Sequence, residues 1–374
     1  MLFPSLLSMA TVALAAAETM TLSEVLNANN KTLSTLNSLL ASQPALSAAL
    51  ASASPITILA PSNDAFSKLL STSAGMAVSK DPSMVAALLE YHVLNGTFNS
   101  SAFTTTAQFV PSLLTNQTFT NVTGGQVVMG MLSGKTVKLM SGLKETSTVT
   151  TADVMFTGGV IHIIDTVLTI PLSPANSAVD SELTALAGAL TTTSLVSAVD
   201  NLKDVTIFAP SNAAFQAIGS ATSSLSTTQL SSILEYHIIN GTVGYSTLLM
   251  TGLANETFPS LMGTELMVEA TDKKVFVNSA QVTITDIIVA NGVMHVINNV
   301  LNPSNSTAKA NTAATTQAVA FAGASSASTV PFTSGISATT TAPSASTMTA
   351  GAEKAYGTMG VAAMIGMGVI AGAF

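Results

Sequence analysis

Four histidines and a few recurring carboxylates are the side chains whose type and spacing suggest chemistry. His92 and His162 lie in the first half of the chain, His237 and His295 in the second. One pair per half is the least that a metal site or an acid–base couple would need. The surroundings support neither use. Each His sits in or beside an apolar run, with no second His or Cys at ligand spacing. The acid nearest to His162 is Asp165, and its counterpart in the second half is Asn298. Asp64 is matched by Ala213, whereas Glu90 and Glu235 recur, as do Asp153 and Asp286. There is no G-x-S-x-G elbow, H-E-x-x-H helix or P-loop. The histidines therefore read as hydrogen-bonded parts of a framework, with His92 and His237 expected to bond near the Asn63 and Asn212 segments. No catalytic residue, metal ligand or cofactor is expected, and no enzyme.

Composition narrows the partners. Charged residues are 8% of the 374, the apolar share is 48%, and the net charge is -8. All eleven basic residues are Lys. Without Arg, the preferred fork for phosphate, neither a nucleic-acid partner nor a phosphate-clamping enzyme fits. Residues 18–171 carry a net charge of -2 and residues 176–303 of -7. The absence of Cys removes thiolate metal sites and Cys nucleophiles.

The elements that must hold these residues are duplicated. TILAPSNDAF at 57–66 matches TIFAPSNAAF at 206–215 in eight of ten positions. LLEYHVLNGT at 88–97 matches ILEYHIINGT at 233–242 in seven, and GVIHIIDTVL at 159–168 matches GVMHVINNVL at 292–301 in six. The order is kept while the offset drifts from 149 through 145 to 133, which places deletions in loops of the second copy. In each copy a short apolar run ends at Pro61 or Pro210, as a strand would. Ser-Asn then suits a helix N-cap. Residues 84–91 and 229–236 have helical apolar spacing, and Asn-Gly at 95–96 and 240–241 marks a turn. Thr136–Leu139 and Val282–Thr285 alternate like sheet, while Val160–Leu168 and Val293–Leu301 read as apolar strands. The class is α+β, twice over.

The ends read as addresses. Residues 1–17 have the length and small-residue finish of a signal peptide. Residues 304–350 are rich in Ser, Thr and Ala, the composition of a disordered, O-glycosylated stalk. Residues 351–374 combine a short spacer with an apolar tail, the pattern of a glycosylphosphatidylinositol (GPI) signal.

The APSNDAF and APSNAAF blocks, the internal Tyr-His and the NGVMHVINNVLNP block resemble the fasciclin domain over about residues 19–303. The resemblance implies two sheet-and-helix wedges, 18–171 and 172–303, secreted and lipid-anchored, with a role in cell adhesion or wall organisation. A fungal surface protein is expected. In animal members an Asp-Ile pair and a Tyr-His segment are implicated in integrin contact. The matching residues here are Tyr91, His92, Asp153, Val154, Tyr236, His237, Asp286 and Ile287, and Val154 departs from the pattern. Expected partners are other surface or matrix proteins or glycans, including a second copy, with the membrane reached through the lipid anchor. The alternative is a small-ligand or membrane-component binding module in a vacuolar or other internal membrane. N-glycan acceptor triplets start at Asn30, Asn95, Asn99, Asn116, Asn121, Asn240, Asn255 and Asn305.

Overall fold

The computed structural model describes residues 20–336 apart from Asp272, Lys273 and Thr315. The expected signal peptide, residues 337–350 of the expected stalk and the C-terminal tail lie outside the described residues. In domain 1, helices α1 (Leu22–Ala28), α2 (Asn30–Ala41) and α3 (Pro44–Ser52) lead into strand β1 (Ile56–Pro61). Next come α4 (Asn63–Leu70), α5 (Ser73–Val78), α6 (Pro82–Tyr91) and β2 (Val93–Asn95). A run of strands closes the domain: β3 (Gln108–Pro111), β4 (Val127–Ser133), β5 (Thr136–Met140), β6 (Thr146–Phe156) and β7 (Gly159–Ile164).

Domain 2 repeats the plan. It has α7 (Pro174–Asp180), α8 (Thr184–Thr192), α9 (Val196–Asp200), β8 (Val205–Pro210), α10 (Asn212–Ala217), α11 (Gly219–Thr222) and α12 (Thr227–Tyr236). These are followed by β9 (Ile238–Ile239), α13 (Ser246–Leu249), β10 (Thr257–Pro259), β11 (Glu265–Thr271), β12 (Lys274–Val277), β13 (Ala280–Val289) and β14 (Gly292–Ile297).

The two seven-stranded sheets share one topology. The order is β2-β1-β7-β6-β5-β4-β3 in domain 1 and β9-β8-β14-β13-β12-β11-β10 in domain 2. β1 lies parallel to β7, and β8 to β14; the other pairs are antiparallel. The repeated blocks build this centre. TILAP and TIFAP are β1 and β8, buried along their whole length. The Ser after each Pro is an N-cap: Ser62 Oγ accepts from Ala65 N–H, and Ser211 Oγ from Ala214 N–H. Asn63 and Asn212 reach back across the fold, accepting from Thr35 N–H and Ala185 N–H. β7 ends at Ile164, short of Leu168, because Leu168 N–H turns to a histidine instead of a strand.

Part of the expected stalk lies on domain 2. Ala310 N–H donates to Asn278 O, Asn299 Nδ2 to Ala318 O, and Gln216 and Ala327 exchange two hydrogen bonds. Phe321, Val330, Phe332 and Ile336 pack against the domain's core, with Phe332 edge-on to Phe215 at 6.0 Å. The face is shaped for this strap. A Cβ on Gly188 would lie 1.7 Å from Phe332 O, and one on Gly219 2.2 Å from Ala327 Cβ. In domain 1 the same positions are Ser38 and Leu70, both exposed. Gly-to-Ala in a free helix face gains about 1 kcal/mol. Gly188→Ala should do the reverse here, lowering the melting temperature and raising amide exchange over 325–336. Unchanged exchange with a raised melting temperature would mean that the strap is not seated.

Candidate functional site

Both members of the Tyr-His motif are buried where a helix meets the sheet. Tyr91 closes α6 and donates its hydroxyl to Val127 O on β4 at 2.9 Å. Tyr236 closes α12 and donates to Glu265 O on β11 at 3.1 Å. Neither Tyr has exposed surface. The next residue, His92, caps α6. Its Nδ1 donates to Leu88 O at 2.7 Å, and its Nε2 accepts from Leu168 N–H at 2.8 Å. His237 repeats this with Ile233 O and Leu301 N–H. A carbonyl only accepts and an N–H only donates, so the neutral Nδ1–H tautomer is fixed in both. Burial pushes both imidazoles down to about 4, against a smaller upward pull from the helical carbonyl. The partner of each ring is thus the segment after the last strand, not the Asn63 or Asn212 segment expected from sequence.

The second histidine of each domain holds an unusual backbone. His162 Nδ1 accepts from Asp153 N–H at 3.2 Å and Nε2 donates to Phe98 O at 2.7 Å. His295 does the same with Asp286 N–H and Gly244 O. Both rings are buried and both aspartates have φ of +60°. A non-Gly residue held there needs support from its neighbours. That support is the imidazole together with Ser100 N–H or Ser246 N–H, each 2.7 Å from its Asp carboxylate. Ser100 Oγ also donates to Asp153. The Asp153 carboxyl lies below the usual range: partial burial raises it, and the Ser100 bonds and His162 outweigh that. Among the described residues no group of three or more His, Asp or Glu could hold a metal ion.

The equivalence of the two aspartates ends at the surface. Asp153 is exposed and Val154 half-buried, whereas Asp286 and Ile287 are 4% and 3% exposed. Ile287 lies in domain 2's own core, and domain 1 covers Asp286 and the neighbouring Ile288. Lys144, itself buried and at φ +60°, donates Nζ to Thr285 O at 2.7 Å and is attracted by the Asp286 carboxylate. Burial pushes the Lys144 ammonium down, and Asp286 partly offsets this. Phe109 stacks on Tyr245 with centroids 4.1 Å apart. Gln126, fully buried, donates to Val289 O, and Thr123 bonds the Asp204 carboxylate. Val127, Met129 and Ile288 form an apolar patch between the domains.

Two loops of domain 1 supply most of these polar contacts. Residues 113–125 join the strands that residues 261–263 join in domain 2, and residues 140–146 stand where Asn278 and Ser279 stand. Sequence reasoning located deletions in the second copy but missed what the longer loops do. The signal was that length difference. Of the glycan acceptors, Asn121 is half-buried at the interdomain seam, where its N–H donates to Ala290 O; the other seven are exposed.

The geometry defines a tandem pair of α+β modules whose histidines are framework parts. The fasciclin domain model matches residues 31–171 and 181–303, and the chain belongs to that family. It is similar to a fasciclin-like arabinogalactan protein of Arthroderma benhamiae, 37% identical over 80% of this chain and 70% of the relative. A second fasciclin-like arabinogalactan protein, from Phaeosphaeria nodorum, is 32% identical over 72% of this chain and 85% of the relative. Among solved structures, a FAS1 domain pair from the insect cell adhesion molecule Fasciclin I matches at 19% identity and a TM-score of 0.36, over 73% of this chain and 97% of that one.

Proposed function

We propose that the chain is a secreted surface glycoprotein that makes adhesive or wall-organising contacts, without catalysis, on a Ser/Thr-rich stalk and a GPI anchor. The observation that carries this reading is the Asp153 surface. It has the same buried histidine, serine N–H and left-handed Asp as domain 2, yet it stands open. Domain 2 offers no second such surface, so each chain contributes one contact of this kind and avidity comes from many chains on one cell. The relatives named for arabinogalactan proteins favour a glycan-rich outer layer.

The small-ligand alternative is less well served. The apolar void among Leu186, Leu190, Phe208, Ile238 and Met294 holds about 10 Å³. The larger clefts, about 410 Å³ beside Glu265 and Lys309 and about 170 Å³ beside Asn121 and Asp200, are open and edged by polar groups. Phosphatidylinositol-specific phospholipase C should release the protein from intact cells. Asp153→Lys should cut cell adhesion severalfold; because it also gives up the Ser100 bonds, the exposed neighbour Met155→Glu should do the same at an unchanged melting temperature. If deletion of the protein lowers adhesion and Asp153→Lys does not, the contact lies elsewhere.

A further inference from the structure

Domain 1 and domain 2 carry the same docking seat, and only one is filled. In domain 2 the seat consists of Leu172, Ile288, the Thr285 carbonyl and Asp286. Leu172 O accepts from Ala290 N–H at 2.7 Å, which joins the entry of the domain to the end of β13. Domain 1 builds the counterpart from Met20, Met155, Ala152 and Asp153, with Met20 O accepting from Thr157 N–H at 2.8 Å. The strands carry the same irregularity in pairing around the aspartate, between Thr151 and Val154 and between Ile284 and Ile287. Exposure is what differs. Leu172 and Ile288 are 8% and 0% exposed, but Met20 and Met155 are 44% and 53%. An exposed apolar pair beside a held carboxylate, in a chain that buries the same pair elsewhere, marks a contact surface.

We propose that this seat receives a partner polypeptide presenting an apolar β-strand face with a lysine-bearing loop beside it, as β4 and Lys144 are presented to domain 2. The choice of occupant rests on charge and shape. On domain 2, Val127 and Met129 pack on Ile288, and Lys144 bonds the carbonyl next to the aspartate. A second copy of this chain does not supply that chemistry. Its domain 2 face carries Glu265 where domain 1 has Val127 and Glu269 where domain 1 has Met131, and it is already lined by residues 306–309 of the same chain. The Lys144 loop is replaced there by Asn278 and Ser279. Stacking copies end to end would bring those glutamates against Asp153, so the partner is a different polypeptide. Asn99, an acceptor for N-glycosylation, stands where Tyr245 stands in domain 2, so a sugar there fringes the seat.

The proposal deepens the adhesive reading of Asp153 and rests on it, but its test needs no cells. In an Asn99→Gln background, the outward face of domain 2 is rebuilt in the image of domain 1. Glu265→Val and Glu269→Met are introduced, and Asn278–Ser279 is replaced by the sequence of residues 140–146. The parent chain should sediment as a monomer and the rebuilt chain as a concentration-dependent series of end-to-end oligomers. Adding Met155→Glu or Asp153→Lys to the rebuilt chain should weaken association at least about tenfold. If the loop replacement does not fold, Glu265→Val with Glu269→Met alone gives the same readout at higher concentration. A folded rebuilt chain that stays monomeric even when residues 306–309 are replaced by Gly-Ser-Gly-Ser to clear the face overturns the proposal, as do oligomers indifferent to Met155→Glu and Asp153→Lys. Such a failure would leave the cell-adhesion result for Asp153→Lys standing by itself.

Discussion

Acidification from pH 7 to pH 4 is expected to remove about 6 kcal/mol of folding stability through two histidines alone. His92 and His237 titrate at about 4 when folded and near 6.5 when unfolded. As pH falls, the unfolded chain takes up protons first. The stabilising contribution is therefore complete above about pH 6.5 and declines until about pH 4. Each imidazole accounts for roughly 3 kcal/mol, because every tenfold difference in proton affinity between the folded and unfolded chain is worth about 1.4 kcal/mol. Burial is the cause, and an added proton on Nε2 would moreover face Leu168 N–H or Leu301 N–H, a donor against a donor. His295, also pushed down by burial, adds in the same direction. Urea midpoints across pH 4–7 would measure the slope. His92→Gln, which keeps one donor and one acceptor but cannot titrate, should reduce that slope by up to half. A slope unaffected by both His92→Gln and His237→Gln would refute the assignment.

The second large effect is expected at Lys144. Lys144→Glu removes a buried charge-assisted hydrogen bond to Thr285 O and sets a second carboxylate near Asp286. A hydrogen bond from a charged group contributes about 1.5–3 kcal/mol, and the new carboxylate adds repulsion from Asp286. The loss should fall on the seam, because each domain keeps its own core: one centres on Leu59, Tyr91 and Ile161, and another on Ile207, Phe215 and Val289. Calorimetry should then show two separated transitions in place of one. Tyr245 fluorescence should change as Phe109 moves off its ring. A single unshifted transition would mean that Lys144 does not hold the domains together.

The repeated framework was legible because its residues lie close together in sequence. Pro61 and Pro210 end strands, Ser62 and Ser211 cap helices, and Gly96 and Gly241 take positive φ in the Asn-Gly turns. The place of the histidines in the framework was legible from the apolar runs around them, but the full burial of Tyr91 and Tyr236, offered with them as contact residues, was not. The His partners were not legible. Leu168 and Leu301 lie more than sixty residues from the rings they bond, and no local period encodes that distance. The same holds for the seam, where Lys144 meets a carbonyl 141 positions away. The strap was hidden by composition. Ser, Thr and Ala dominate residues 304–336, and the information sits in four apolar residues, Phe321, Val330, Phe332 and Ile336, and in two glycines on the receiving helices.

That strap determines how domain 2 meets tension. A pull from beyond Ile336 loads the strap lengthwise from its far end, so Phe332 lifts before Ala327 and Ala318. Its bonds open singly, whereas β8 and β14 share a load across six paired residues. The first extension is therefore a peel that spares the sheet and reseals when the pull stops, a fuse that yields and resets before the module it guards comes apart.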